Sequence, residues 1–260
     1  MQFMICLTGD PEQHAMIPEI QAMKLGVELN GYGLAGIKSE GEWRQRLAIH
    51  LEFTRSFHGP LAVHGPFIGM RFNHTDHILR EAVDRRMDVF FDTARQLGVR
   101  TVVLHTGYDG SVERYRLKWL EENTQYWRRE AVRWKTLGVR IVLENEEEKS
   151  PDLMVQLVER VDSDSLGLCL DVGHANISSH LSLAEWVERM GSRLWHVHLH
   201  DNDGKEDQHL AVGRGNIGFA PFFAALGRIA PHASVALESR IDGPAKLENL
   251  KVAMRYAAME

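Results

Sequence analysis

The chain has 260 residues, and its 44% hydrophobic content is enough to bury a large core within the length of one α/β barrel domain. A formal net charge of −6 argues against a nucleic-acid partner, because neutralising phosphates takes a basic surface. No uncharged apolar run reaches the roughly 18 residues of a membrane span, and the opening MQFMICLTGD lacks a basic leader, so a soluble cytoplasmic protein without a membrane partner is expected.

In chain order the sequence alternates strand and helix. An apolar strand at 2–7 is followed by a helical segment at 14–25 and a second strand, VELN, at 27–31. Helical periodicity runs over 40–57, then LAVHGP at 61–66 gives a third strand. The pattern repeats as helix 75–97, strand TVVLHTG at 101–107, helix 114–137, strand RIVLENE at 140–146 and helix 151–162. It continues with strand LGLCLDVGH at 166–174, helix 182–190, strand LWHVHLHDN at 194–202, helix 219–229, strand SVALESR at 234–240 and helix 244–258. Such alternation is the pattern of βαβ units and a parallel sheet. Eight units in this length fit a (β/α)8 TIM barrel in a single domain, 1–260. Cys6 and Cys169 fall inside strands far apart in sequence, so both are expected to be buried, free and reduced.

Local punctuation supports the boundaries. Ser150 before Pro151 reads as an N-cap followed by Pro at the first helical position, and Ser182 with Glu185 has capping-box spacing. Leu25-Gly26-Val27, Leu97-Gly98-Val99 and Leu137-Gly138-Val139 each place a glycine where a helix stop would use the left-handed conformation.

The chemistry sits at the strand ends. His64, His105, Glu144, Asp171 with His174, His198, Asp207 with His209, and Glu238 all lie at or just past an apolar segment. In an open sheet these heads would be strung along an edge, whereas barrel closure makes them converge. So many charges in one place are costly unless a cation pairs them, so a metal site is expected. Mixed nitrogen and oxygen donors suit Zn, Mn, Co, Fe or Mg, one to three ions. Within the seventh strand His196, His198 and His200 alternate and point the same way. His198 reads as the ligand and His196 as barrel filling; His200 binds substrate, braces a ligand or faces solvent. Arg214, between Gly213 and Gly215, is a candidate for a substrate phosphate or carboxylate.

The combination VHGP, LHTG, LEN, LDVGH, HVHLHDN, DQH, VGRGNI and ALES resembles the xylose isomerase-like TIM barrels, the group that contains sugar isomerases and epimerases together with the endonuclease IV enzymes. The resemblance to the isomerases implies one divalent metal held by Glu144, Asp171, His198 and Glu238 with His174 nearby. Glu144 and Glu238 would then be acid and base for proton transfer through a metal-stabilised enediolate. The resemblance to endonuclease IV implies three zinc ions on His64, His105, Glu144, Asp171, His174, His198, Asp207, His209 and Glu238, which would activate water against a phosphodiester. Phe67 stands where that group carries an aromatic wedge, and in either case it would touch substrate. The loop at 31–40 has one lysine and no arginine, which weighs against gripping DNA. The sequence is therefore read as a metal-dependent isomerase or epimerase of a small sugar or sugar phosphate, with phosphate-ester hydrolysis as the alternative and a non-catalytic binding barrel third. Trp119, Tyr126 and Trp127 are candidates for a homo-oligomer contact, although packing against the barrel wall accounts for them better.

Overall fold

The computed structural model describes residues 1–33 and 39–259. The middle of the loop weighed against DNA binding, including Lys38, lies outside the described residues.

Eight strands close into one parallel barrel in sequence order: β1 (Gln2–Leu7), β2 (Gly26–Leu29), β3 (Leu61–His64), β4 (Thr101–His105), β5 (Arg140–Glu144), β6 (Leu166–Asp171), β7 (Leu194–Leu199) and β8 (Ser234–Leu237). β8 pairs back onto β1, which removes both sheet edges. The expected (β/α)8 fold is therefore present. Strand pairing sets the heads level: His105 lies opposite Glu144 and Asp171 opposite His198.

The period-2 alternation of each strand separates two apolar populations. One set, including Ile5, Leu29, Val63, Leu104, Leu143, Leu170, Val197 and Leu237, joins the main core beneath the helices. The other is smaller and forms separate clusters: Met4, Cys6, Ala62 and Ala236, and Val103, Val142 and Cys169 with Trp195 against them. This second set fills the barrel, and the polar heads stand above it on the same side of their strands. Gly26 and Gly167 make room there. A Cβ on Gly26 would lie 2.8 Å from Met4 Cγ, and one on Gly167 would strike the Trp195 ring.

The helices are α1 (Ile17–Ala22), α2 (Glu40–Ser56), α3 (His77–Leu97), α4 (Arg116–Lys135), α5 (Asp152–Val161), α6 (Val172–Ser178), α7 (Leu183–Met190), α8 (Phe219–Ile229) and α9 (Pro244–Ala257). The capping box of Ser182 and Glu185 is complete, and Gly98 and Gly138 have the left-handed φ of +65° and +66°. Three expectations are corrected. Gly26 is the first residue of β2, and Lys24 (φ +56°) makes the left-handed turn. The segment 14–25 divides into a 3-10 turn at Pro11–Met16 and the short α1. The N-cap of α5 is Pro151, with the Ser150 hydroxyl still 3.4 Å from the Asp152 N–H. Cys6 and Cys169 are free and buried as expected. Trp119, Tyr126 and Trp127 are buried, which accounts for them as packing on the barrel wall. Among the described residues no helix is long and apolar enough to cross a membrane.

Candidate metal centre

At the C-terminal end of the barrel the nine expected ligands meet. Among the described residues three groups of donor atoms are drawn wholly from these nine: His64, His105 and Glu144; Glu144, Asp171, His198 and Glu238; and His174, Asp207 and His209; His200 with His209 and Glu238, and Cys169 with His196 and His198, make two more. In each group one donor atom per residue lies within 4.8 Å of the others, and Glu144 is common to the first two.

The imidazoles are aimed. In all five ligand-type histidines one ring nitrogen donates to a fixed acceptor, which leaves the other for the centre. His64 Nδ1 donates to the Gly65 carbonyl (2.9 Å) and Nε2 reaches Glu144 (3.1 Å). His105 Nδ1 meets Glu146 Oε2 at 3.1 Å, with Nε2 at 3.5 Å from Glu144. His174 Nδ1 donates to the Asn145 carbonyl (2.9 Å), and Nε2 points at Asp207, 3.8 Å away. His209 Nδ1 donates to the Glu238 carbonyl (3.1 Å) and Nε2 contacts Asp207 (2.9 Å). His198 runs the other way round: Nε2 bonds Glu28 Oε1 at 2.9 Å, and Nδ1 lies 3.2 Å from Glu144 and 3.3 Å from Glu238. That Nδ1 is buried without a hydrogen-bond partner among the described residues.

Electrostatics follow from this packing. Burial disfavours a charged His64, but the Glu144 carboxylate outweighs it and lifts the pKa to about 9. Burial also opposes ionisation of Glu144 and Asp171, yet His198 beside the first and His174 beside the second pull both well below the usual carboxylate range. His174 and His198 are raised against their own burial by Asp171 and Glu144 respectively. Imidazoles are thus raised and carboxylates lowered by one another, and a divalent cation would take the place of the protons that this pairing holds. The donor set, its aimed imidazoles and the orphaned His198 Nδ1 fit such an ion.

Residues 33–257 match the family model of the xylose isomerase-like TIM barrel. The chain belongs to that family. An uncharacterised protein of Methanocaldococcus jannaschii is 28% identical over 200 residues, 73% of this chain and 68% of the relative. Among solved structures, a Thermus thermophilus protein soaked with zinc chloride superposes with a TM-score of 0.75 at 28% identity, over 97% of this chain and 98% of that one. A D-tagatose 3-epimerase-like protein gives a TM-score of 0.80 at 22% identity, over 100% of this chain and 98% of that one, which is a likeness of fold.

Local sequence explains how family members of this kind bring the heads together here. Asp171 ends β6 and caps α6 by accepting the His174 N–H at 2.7 Å, so a turn of helix swings His174 beside it. Sequence reading ran the strand on to residue 174 and missed α6. Gly173 leaves the space that the His200 ring occupies. His200 is buried, 3.1 Å from Asp171 and stacked on His209, so it braces ligands and does not line the cleft. Arg214 is exposed and also lies outside the cleft lining. The glycines beside it serve Asp201, whose buried carboxylate accepts the N–H groups of Asn202, Gly213, Gly215 and Ile217 at 2.8–3.2 Å. Phe67 does line the cleft, stacked on His105 with centroids 4.7 Å apart.

Sequence reasoning missed Glu28. Its two oxygens bond His198 and His196 (2.9 and 2.7 Å) with the carboxylate fully buried. The signal was a lone charge inside VELN, on the alternation that faces the barrel. Asn145, within the LEN motif, and Glu146, just after it, were missed as well. Asn145 clamps β5 to β6 through both the N–H and carbonyl of Asp171.

Proposed function

We propose that this chain is a divalent-metal-dependent isomerase or epimerase of a small sugar or sugar phosphate, working by proton transfer. The observation that carries the reading is the convergence of Glu144 and Glu238 on one atom, the Nδ1 of His198 (3.2 and 3.3 Å), with both carboxylates lining a cleft of about 470 Å3. A cavity of that volume suits a sugar-sized ligand. Two carboxylates flanking one position can take a proton from a substrate carbon and return one to it or to its neighbour.

Glu144, Asp171, His198 and Glu238 would hold the ion, which when bound polarises a carbonyl and an adjacent hydroxyl. The chain's own residues do the rest. Asn30 Nδ2 donates to Glu238 Oε1 (3.3 Å) and holds that carboxylate at the cleft wall. His64 and His105 fix Glu144 from the other side. His174 lines the cleft with its Nδ1 committed to the Asn145 carbonyl, which leaves Nε2 to steady a substrate hydroxyl during the transfer. Phe67 closes one wall against water.

A second reading, phosphate-ester hydrolysis by a multinuclear zinc centre, is favoured by one observation: the nine ligands divide into three groups that each suit one ion. Incubating the protein with ketoses and ketose phosphates in D2O with added Mn or Co distinguishes the two. Deuterium should appear at the carbon next to the carbonyl by NMR, and Glu144→Gln or Glu238→Gln should slow the exchange by about a hundredfold or more. Exchange that survives both substitutions would sink the proposal, and phosphodiester cleavage without exchange would move the site to hydrolysis.

A further inference from the structure

The wall of the cleft built by β8 and α9 differs in charge from its floor. The floor collects carboxylates and imidazoles. The far rim presents Arg240 and Lys246, which line the same cavity and make no ion pair among the described residues. Two cations without an ion pair at the mouth of a cavity, with Asp242 beside them and Glu238 deeper in, mark a place for an anion.

A second observation points the same way. Ser239 is fully buried and lines the cleft, yet its Oγ has no hydrogen-bond partner among the described residues. Leaving a buried hydroxyl unpaired costs free energy that a ligand oxygen would recover. Just beyond it α9 begins at Pro244 and runs for 14 residues, so the positive end of its dipole opens onto this rim, with Lys246 in its first turn. Hydroxyl, guanidinium, ammonium and helix start are the donors that a phosphomonoester dianion takes.

We propose that Ser239, Arg240 and Lys246 form a phosphate subsite, so that the substrate is a sugar phosphate whose phosphate lies away from the carbons that exchange protons. The proposal rests on the isomerase reading and narrows its substrate class. It also moves to Arg240 and Lys246 the anion-binding role that the sequence suggested for Arg214.

The test compares ketoses that differ only in a terminal phosphate, using the metal-loaded full chain. The wild type should prefer the phosphorylated member in kcat/KM by at least about tenfold, and Lys246→Gln or Arg240→Gln should lower that preference about tenfold, mainly through KM. Lys246→Arg, which keeps the charge, should retain most of it. An unphosphorylated ketose turned over as well as its phosphate ester, or a preference indifferent to both glutamine substitutions, would overturn the subsite and leave the isomerase reading standing. If no ketose is turned over, that reading fails, and titration calorimetry with inorganic phosphate decides the subsite. Binding weakened about tenfold in the Arg240→Gln, Lys246→Gln double variant supports it, and unchanged binding overturns it.

Discussion

Glu28 shows how much one side chain can set. An ionised carboxylate at full burial is tolerated only with charged or hydrogen-bonding partners, and Glu28 has two imidazoles. Burial works against its charge, but His198 and His196 hold it well below the usual carboxylate range. The consequence lies on the far side of the His198 ring. While Nε2 donates to Glu28, Nδ1 is the nitrogen that faces Glu144 and Glu238 and that an ion would take by displacing its proton. In Glu28→Gln the amide has one acceptor oxygen for two rings, so one ring meets an N–H donor and must reverse its tautomer. Reversal at His198 would put a proton on the nitrogen that faces the centre. Metal affinity, read by competition with a chromogenic chelator, should therefore fall by about 10- to 100-fold. An affinity equal to that of the wild type would show that Glu28 merely fills space.

At the scale of elements, the loop between β7 and α8 carries Asp207 and His209 yet has no helix or strand of its own. Its order comes from Asp201, which gathers four backbone N–H groups, and from a two-residue bridge to Leu210. A Cβ on Gly215 would strike Asn202 and the Asp201 carboxylate, so the chain closes around that acid. His209 sits at φ +47°, a conformation that a non-glycine residue keeps only when its surroundings insist. Asp201→Asn replaces one of the two accepting oxygens with a donor. Amide hydrogen exchange over 202–217 should then quicken at least about tenfold, and ions held by His174, Asp207 and His209 should be lost before those at His198. Unaltered exchange would mean that the loop is held by other contacts. Elements with a chemical signature were legible: the capping box at Ser182 and the glycines at 98 and 138 each do what their residue types demand. The loop's strut was not, because an aspartate among turn residues looks like any other. Nor was α6, whose Val172 and Gly173 are poor helix formers and whose cap, Asp171, doubles as a ligand.

Across the whole molecule, barrel closure makes the strand heads readable as one site. Ligand types recurring at the ends of parallel strands have one place to meet once β8 pairs with β1. The division of those heads into three groups was beyond the sequence alone, since it depends on register and ring orientation, such as Asp171 lying opposite His198. The unpaired Ser239 hydroxyl was hidden for the same reason. Closure also ties stability to the centre. Glu28, Glu144, Asp171 and His198, drawn from β2, β5, β6 and β7, lie fully or almost fully buried in the barrel, so the apolar filling of Met4, Ala62 and Val142 is topped by groups that repel their own kind. An ion that binds the folded barrel and not the open chain stabilises it by mass action, about 2.7 kcal/mol at a free concentration 100 times Kd. For a chain of this size that corresponds to a rise in Tm of roughly 5–10 °C. Scanning calorimetry of chelator-treated protein, with and without added zinc or manganese, should show that rise. Glu238→Gln, which removes one member of the quartet without disturbing a strand interior, should lose most of it. Equal melting temperatures with and without metal would mean that the carboxylates and imidazoles are balanced by protons alone, and the barrel would then need another reason for burying them.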